Sequence, residues 1–367
     1  MREGWEYKTI ENCTSIEYGT RVVQKRDGGT IYPVYGGGGK TFRMDRYNRE
    51  DCLIIARFAM SPRCVRYVAG KFFLNDSGLS VKSKEELEQA YLNYHLLFFN
   101  DVIYHLGKGA AQRNLDVKAF RQLVIAIPPK PTQLSIVSEL DKLNELIQIK
   151  KEELKDYDAL AQSIFYEMFG DPVVNEKGWK VKTFGDIGTL ERGAGISKKD
   201  FVEDGLPCVH YGQLHTTFGA YTRKNITFIP KDLFPKYKIA HPGDLILAIT
   251  SEDVEGSCKS TAWLGDYDVV VGSDAAIFHH NQDGIYLSYY TRTKAFYNEK
   301  AKYAKGFKVT HISTKEIASI SICVPPLSIQ NTFANKIEQI ERQKTIIQES
   351  IADLETLLAS RMQYWFD

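Results

Sequence analysis

The stretch Tyr35-Gly36-Gly37-Gly38-Gly39-Lys40-Thr41 resembles a phosphate-binding loop, in which backbone N–H groups and a lysine cradle an anion. That chemistry needs a glycine six residues before the lysine, and the position holds Val34. The stretch therefore reads as a flexible glycine turn. Around it stand Lys40, Arg43, Arg46 and Arg49, and the basic series continues with Arg57, Arg63 and Arg66. Cations beside a glycine turn can come close to a nucleic-acid backbone, because no side chain of the turn stands in the way.

A second group lies in the other half of the chain, at His210-Tyr211-Gly212-Gln213-Leu214-His215-Thr216. His, Tyr, Gln and Thr side chains can all meet base edges or phosphates. With Lys108, Arg192, Lys198, Lys199, Lys305 and Lys308 they complete the candidate contacts to an anion; the loops, more than any one residue, carry the expectation. Catalytic patterns are missing. There is no S-adenosylmethionine glycine motif after a strand, and no Asn/Asp-Pro-Pro-aromatic signature. We find no nuclease carboxylate cluster, no H-E-x-x-H and no nucleophile elbow. Glu85-Glu86 and Glu152-Glu153 read as solvated helix faces. The six cysteines are scattered, with no C-x-x-C pair, and read as small buried thiols in a reducing compartment.

The elements that must position these residues come in two copies. Gly4-Trp5 with Lys8-Thr9 matches Gly178-Trp179 with Lys182-Thr183 at an offset of 174, as do Glu17, Gly19 and Pro33 with Glu191, Gly193 and Pro207. Tyr91-Leu92-x-Tyr94 then matches Tyr286-Leu287-x-Tyr289. Lys108-Gly109 matches Lys305-Gly306, and Ile127-Pro128-Pro129 matches Val324-Pro325-Pro326. By the end of the copy the offset is 197, so the insertions fall in loops of the second copy.

After each Pro-Pro comes a heptad seam. The first reads Ile136, Leu140, Leu143, Ile147, Lys150, Leu154, Tyr157, Ala161, Ile164 and Met168; the second holds the same positions plus 197, from Phe333 to Trp365. Each predicts a helix of about 35 residues. Lys150 and Lys344 occupy interior seam positions, where a lysine ordinarily extends its stem to reach solvent. Ahead of the helices, short strands are expected at Cys52–Phe58, Asp244–Thr250 and Val269–Phe278. Helical pieces are expected at Lys84–Phe99 and Gly284–Tyr303, and closing strands at Leu123–Ile127 and Ile320–Val324.

The fold class is thus α+β: residues 1–128 and 172–325 form two tandem globular domains, and residues 129–171 and 326–367 are spacer helices pairing as an antiparallel coiled coil with pseudo-twofold symmetry. Charge follows the same division. The globular segments carry +5 and +2, the helical segments −4 and −2, within an overall +1. That suits domains that meet an anion and a spacer that does not. No run reaches the ~18 apolar residues of a membrane span, and Met1-Arg2-Glu3 begins no signal peptide, so a cytoplasmic protein is expected.

Gly4-Trp5 and Gly178-Trp179, the Ile-Pro-Pro and Val-Pro-Pro strand ends followed by Gln133 and Gln330, the junction Ile164–Pro172 and the two heptad helices together resemble the DNA-specificity (S) subunit of type I restriction–modification systems. The resemblance covers the whole chain. It implies two target-recognition domains, each reading one half of a bipartite asymmetric site on double-stranded DNA, with the helices as a spacer. It implies methyltransferase (M) subunits, two of them, and restriction (R) subunits as partners, with no membrane. S-adenosylmethionine, ATP and Mg²⁺ would belong to those partners, and this chain would hold no catalytic, metal or cofactor site. The sequence departs from the family in starting almost directly at Gly4-Trp5, which puts an N-terminal contact with the M subunit in doubt. The competing reading is a coiled-coil scaffold whose globular ends bind protein. It explains the heptads and the near-neutral charge but not the basic, glycine-looped, duplicated domains.

Overall fold

The computed structural model describes residues 2–109, 112–231, 237–304 and 309–367. The chain divides into two compact units: Met1–Glu152 with Gln348–Asp367, and Glu153–Ile347. Each contains one copy of the repeat and segments of both long helices.

In the first unit, entry strand Glu6–Thr9 pairs antiparallel with closing strand Val124–Ile127, Glu6 opposite Ile127. The main sheet has six strands in the spatial order Thr14–Tyr18, Gly78–Ser83, Arg49–Ala56, Val65–Leu74, Tyr32–Gly36 and Gly39–Met44. Its inner strands are runs of apolar and β-branched residues that end buried, as at Leu53, Ile54 and Ile55. The expected helical piece begins only at Gln89 and breaks at Phe99, giving helices Gln89–Phe98 and Asn100–His105. Lys84 is instead held in a turn, its Nζ donating to the carbonyls of Glu11 and Asn12.

The second unit repeats the plan. Lys180–Thr183 pairs with Ser321–Val324, Lys180 opposite Val324. Its five-stranded sheet runs Gly188–Arg192, Ala275–His280, Leu245–Ala248, Ser260–Trp263 and Tyr221–Thr222. The first four strands hold the same order as in the first unit, and the fifth is again parallel to its neighbour. The offsets of 174 and 197 carry Thr14–Tyr18 onto Gly188–Arg192 and Gly78–Ser83 onto Ala275–His280. A further four-stranded sheet holds Thr227–Ile229, Leu206–Val209, Val269–Val271 and Lys238–Ala240. Val269–Phe278, expected as one strand, is therefore two strands in different sheets, separated by the turn at Gly272-Ser273-Asp274. The second helical piece also breaks, at Thr291–Thr293, because Thr293 caps a new helix by accepting from the Phe296 N–H.

The same buried bonds lock each copy. Gln133 is fully buried: its Oε1 accepts from Glu88 N at 2.8 Å, and its Nε2 donates to the carbonyls of Pro128 and Glu86. Gln330 takes Asp283 N at 3.0 Å and donates to Pro325 O and Gln282 Oε1. Tyr91 donates to Ala126 O just as Tyr286 donates to Cys323 O. Gln133→Ala leaves the Glu88 N–H and two carbonyls unpaired. It is expected to lower stability by about 2–3 kcal/mol, read as a shift in urea midpoint; an unchanged midpoint would mean that water replaces the amide there.

The long helices are Lys130–Phe169 and Leu327–Phe366, 40 residues each. They exceed the expected length because each starts directly behind its Pro-Pro, and the first continues until Gly170, whose φ of 72° is the left-handed stop. No seam position is exposed. In the second unit Phe165, Phe169, Tyr286 and Phe333 interlock with ring centroids 4.7–5.9 Å apart. Lys344 does not reach for solvent; it pairs with Asp158 at 2.7 Å and Glu341 at 2.9 Å. In the first unit the Arg361 guanidinium and Trp365 Nε1 meet Glu139, and Lys151 meets Glu355 at 2.7 Å.

Candidate nucleic-acid interface

The glycine turn is a hairpin. Tyr35 faces Lys40 and Gly36 faces Gly39, so Gly37-Gly38 is a two-residue connection, with Gly39 at a φ of 117°. It is not free to flex at its base. A Cβ on Gly37 would lie 2.1 Å from Phe58 O, the Gly37 N–H donates to Ser77 Oγ at 2.9 Å, and Arg66 Nη2 donates to Gly37 O at 3.0 Å. Glycine is needed there for close approach; only Gly38 faces open space.

The same Arg66 Nη2 donates to Arg63 O at 2.8 Å, tying the hairpin to the loop 57–66. Lys40 and Arg63 are exposed and make no side-chain hydrogen bond or ion pair among the described residues. Arg57 is half-buried between the rings of Tyr18 (4.9 Å) and Phe58 (4.6 Å). Lys108 is exposed, pairs with Asp116 at 2.6 Å and faces Asn114 across a two-residue ladder. Arg57 joins this group, because Leu115 N donates to its carbonyl.

Other candidates have structural tasks. Arg49 is committed to Ser80 Oγ at 2.9 Å, the Asn48 carbonyl and Glu17. Arg43 lies on the edge strand and donates to Ile31 O, and Arg46 lies over the Phe73 ring at 5.7 Å.

In the second unit the stretch after Leu206–Val209 is a short helix, Tyr211–Thr216, where the first unit has its hairpin. His210 caps it: Nδ1 accepts from Gly212 N at 3.2 Å, and Gln213 Oε1 returns to His210 N at 2.9 Å. Burial, with the Lys198 ammonium adding to it, lowers the His210 pKa and keeps the ring neutral. His210 and Gln213 are buried, so they shape the loop; Tyr211 and His215 are half-exposed, and His215 Nε2 lies 3.1 Å from Thr250 O. Lys198 and Lys199 are exposed on a single turn of 3₁₀ helix. Arg192 donates from Nε to Ser273 O at 2.7 Å and faces Asp274 at 3.6 Å. Lys305 and Lys308 lie outside the described residues.

These placements share one logic. Tyr18 opposes Leu79 and Ala56 opposes Gly78, so Tyr18, Arg57 and Ser77 meet at one end of the shared sheet. Arg192 opposes Ala276 and Ala248 opposes Ala275, so Arg192, Ile249 and Asp274 meet at the equivalent end in the other unit. The sheets are alike and the side chains at that end differ. Sequence reasoning missed Tyr18, Phe58, Asn114, Thr250, Asp274 and His311; the offset of 197 from Asn114 to His311 was the available signal. Among the described residues no group of three or more His, Cys, Asp or Glu could hold a metal ion.

Fold and site define a class: a duplicated α+β protein whose two copies are built on like sheets, differ in the side chains at one end of them, and each launch a 40-residue helix. The family model described as the type I restriction modification DNA specificity domain matches residues 2–156 and 176–356, and the chain belongs to that family. It is 23% identical over 299 residues, 74% of this chain and 70% of the other, to the type I restriction enzyme MjaVIII specificity subunit of Methanocaldococcus jannaschii. A chain described as a type I restriction enzyme specificity subunit in Haemophilus influenzae is 24% identical over 363 residues, covering 94% and 90%. Among solved structures, the S subunit of a type I restriction–modification system from M. genitalium superposes with a TM-score of 0.56 at 14% identity, covering 99% and 96%. A chain from a study of complex assembly in a type I restriction–modification system gives 0.59 at 17%, covering 99% and 97%.

Proposed function

We propose that this chain is the specificity subunit of a type I restriction–modification complex, in which each unit reads one half of a bipartite, asymmetric DNA site. The observation that carries the reading is the duplicated sheet with different polar and basic side chains at the same end of each copy. A shared scaffold fixes how each domain meets DNA; the differing ends make the two half-sites unlike. The chain itself carries no chemistry in this reading. Two M subunits with S-adenosylmethionine methylate adenine, R subunits with ATP and Mg²⁺ cleave, and the complex works in the cytoplasm.

The long helices act as a paired, antiparallel spacer. In support, within the first unit the contacts descend along one helix as they rise along the other, Glu139 with Arg361 and Lys151 with Glu355, and within the second unit Asp158 pairs with Lys344. Each helix is about 60 Å long at 1.5 Å per residue, enough to span more than one ~34 Å turn of DNA. Inserting seven residues at matched places in both helices preserves the heptad phase and adds about 10 Å. The expected result, read from the methylation motif of the assembled complex, is a longer unspecified gap with both half-sites unchanged. Altered half-sites with the old gap would contradict the spacer.

A further inference from the structure

We propose that Asn114 and His311 are specificity-determining residues, each set to read one base edge in the half-site of its own unit. The inference rests on the DNA-reading function above and names where that reading happens.

The two positions are equivalent, 197 residues apart. Each lies on a two-residue strand: Asn114–Leu115 against Gly107–Lys108, and Thr310–His311 against Thr250–Ser251. The following residue repeats one bond, Leu115 N to Arg57 O and Ile312 N to Ile249 O. Both side chains are exposed. Each is fixed through one polar atom. Asn114 Oδ1 accepts from Ala59 N at 3.3 Å, where Ala59 holds a left-handed φ of 49°. His311 Nδ1 lies 3.2 Å from Thr250 Oγ1, which in turn lies 3.5 Å from Asp274 Oδ1. The other polar atoms, Asn114 Nδ2 and His311 Nε2, have no protein partner among the described residues.

A side chain tethered at one polar atom has little rotamer freedom left to lose on binding, and its free atom discriminates by what it meets. Asn114 Nδ2 is a donor, suited to guanine N7 and O6 or adenine N7. With the Thr250 hydroxyl donating to Asp274 Oδ1, Thr250 Oγ1 is left to accept from the His311 tautomer that carries its proton on Nδ1. In that tautomer Nε2 is an acceptor, suited to the amino group of adenine or cytosine. Around Asn114 stand Arg57 and Lys108, and beside Asp274 stands Arg192. The cations can hold phosphates while the free polar atom reads the base.

The test maps methylated motifs by long-read sequencing of a host that expresses the full chain with its cognate M subunit. His311→Ala is expected to reduce the base preference at one position of one half-site about ten-fold or more, with the other half-site intact. Asn114→Asp keeps the oxygen that holds the Ala59 N–H but replaces the free donor by an acceptor. It is expected to switch one position of the other half-site toward a base bearing an amino group. Unchanged motifs in both variants, or relaxation in both half-sites from a single variant, would overturn the proposal while leaving the DNA-reading function standing. Wild-type complex that writes no motif would overturn both.

Discussion

Lowering the pH from 7 to 4 is expected to destabilise the first unit by about 3 kcal/mol through one residue, His95. The ring is 1% exposed, and burial pushes its pKa down to about 4 from an ordinary 6.5. Tyr91, Phe99 and Phe366 surround it at ring centroid distances of 6.0, 4.6 and 4.8 Å. Nε2 accepts from Ala126 N at 3.4 Å, and Nδ1 has no partner among the described residues. A second proton would remove that acceptor and place a charge among aromatic rings. The folded pKa lies below the unfolded one, so the unfolded chain takes up the proton first. Stability is complete above about pH 6.5 and is lost as pH falls toward 4. The check compares urea unfolding of the wild type and His95→Phe across that window. The difference between them is expected to shift in favour of the variant as pH falls. A constant difference would show that His95 does not titrate on unfolding.

Exchanging residues 1–128 for the corresponding segment of a family member with a different specificity should replace one half-site completely and leave the other unchanged. Each unit has its own sheet, its own entry and closing strand pair and its own buried glutamine, so recognition should move with the segment. The graft has a structural condition. Core residues Ile136, Leu140 and Phe366 lie outside 1–128 yet pack in the first unit, so the donor must keep the apolar face that meets them. Motif mapping reads the outcome. A hybrid that alters both half-sites would show that the units do not recognise DNA independently.

The repeat, the two helices and the closing strands were legible in the sequence, because heptad spacing, Pro-Pro and Gly-Trp are local signals. The heptads even located the buried faces of helices whose lengths they underestimated. What stayed hidden depends on long-range contact. Nothing local says that Glu6 lies opposite Ile127, or that Val269–Val271 and Ala275–His280 join different sheets. The tetraglycine suggested flexibility, whereas Gly37 is glycine because Phe58 and Ser77 press against it. At the candidate interface, residue type indicated Arg57, Lys108 and Arg192 but could not separate them from Arg49, which is spent on Glu17 and Ser80. The His210-x-x-Gln213 spacing was a readable capping box.

In the proposed function this chain chooses the DNA sequence its partners act on. Its most direct test is the adenine methylation pattern of a host genome when the chain is expressed with its cognate M subunit. A new motif of two short specific blocks around a fixed unspecified gap is expected, absent when the chain is omitted. Methylation that is the same with and without the chain, despite a complex that co-purifies, would contradict it.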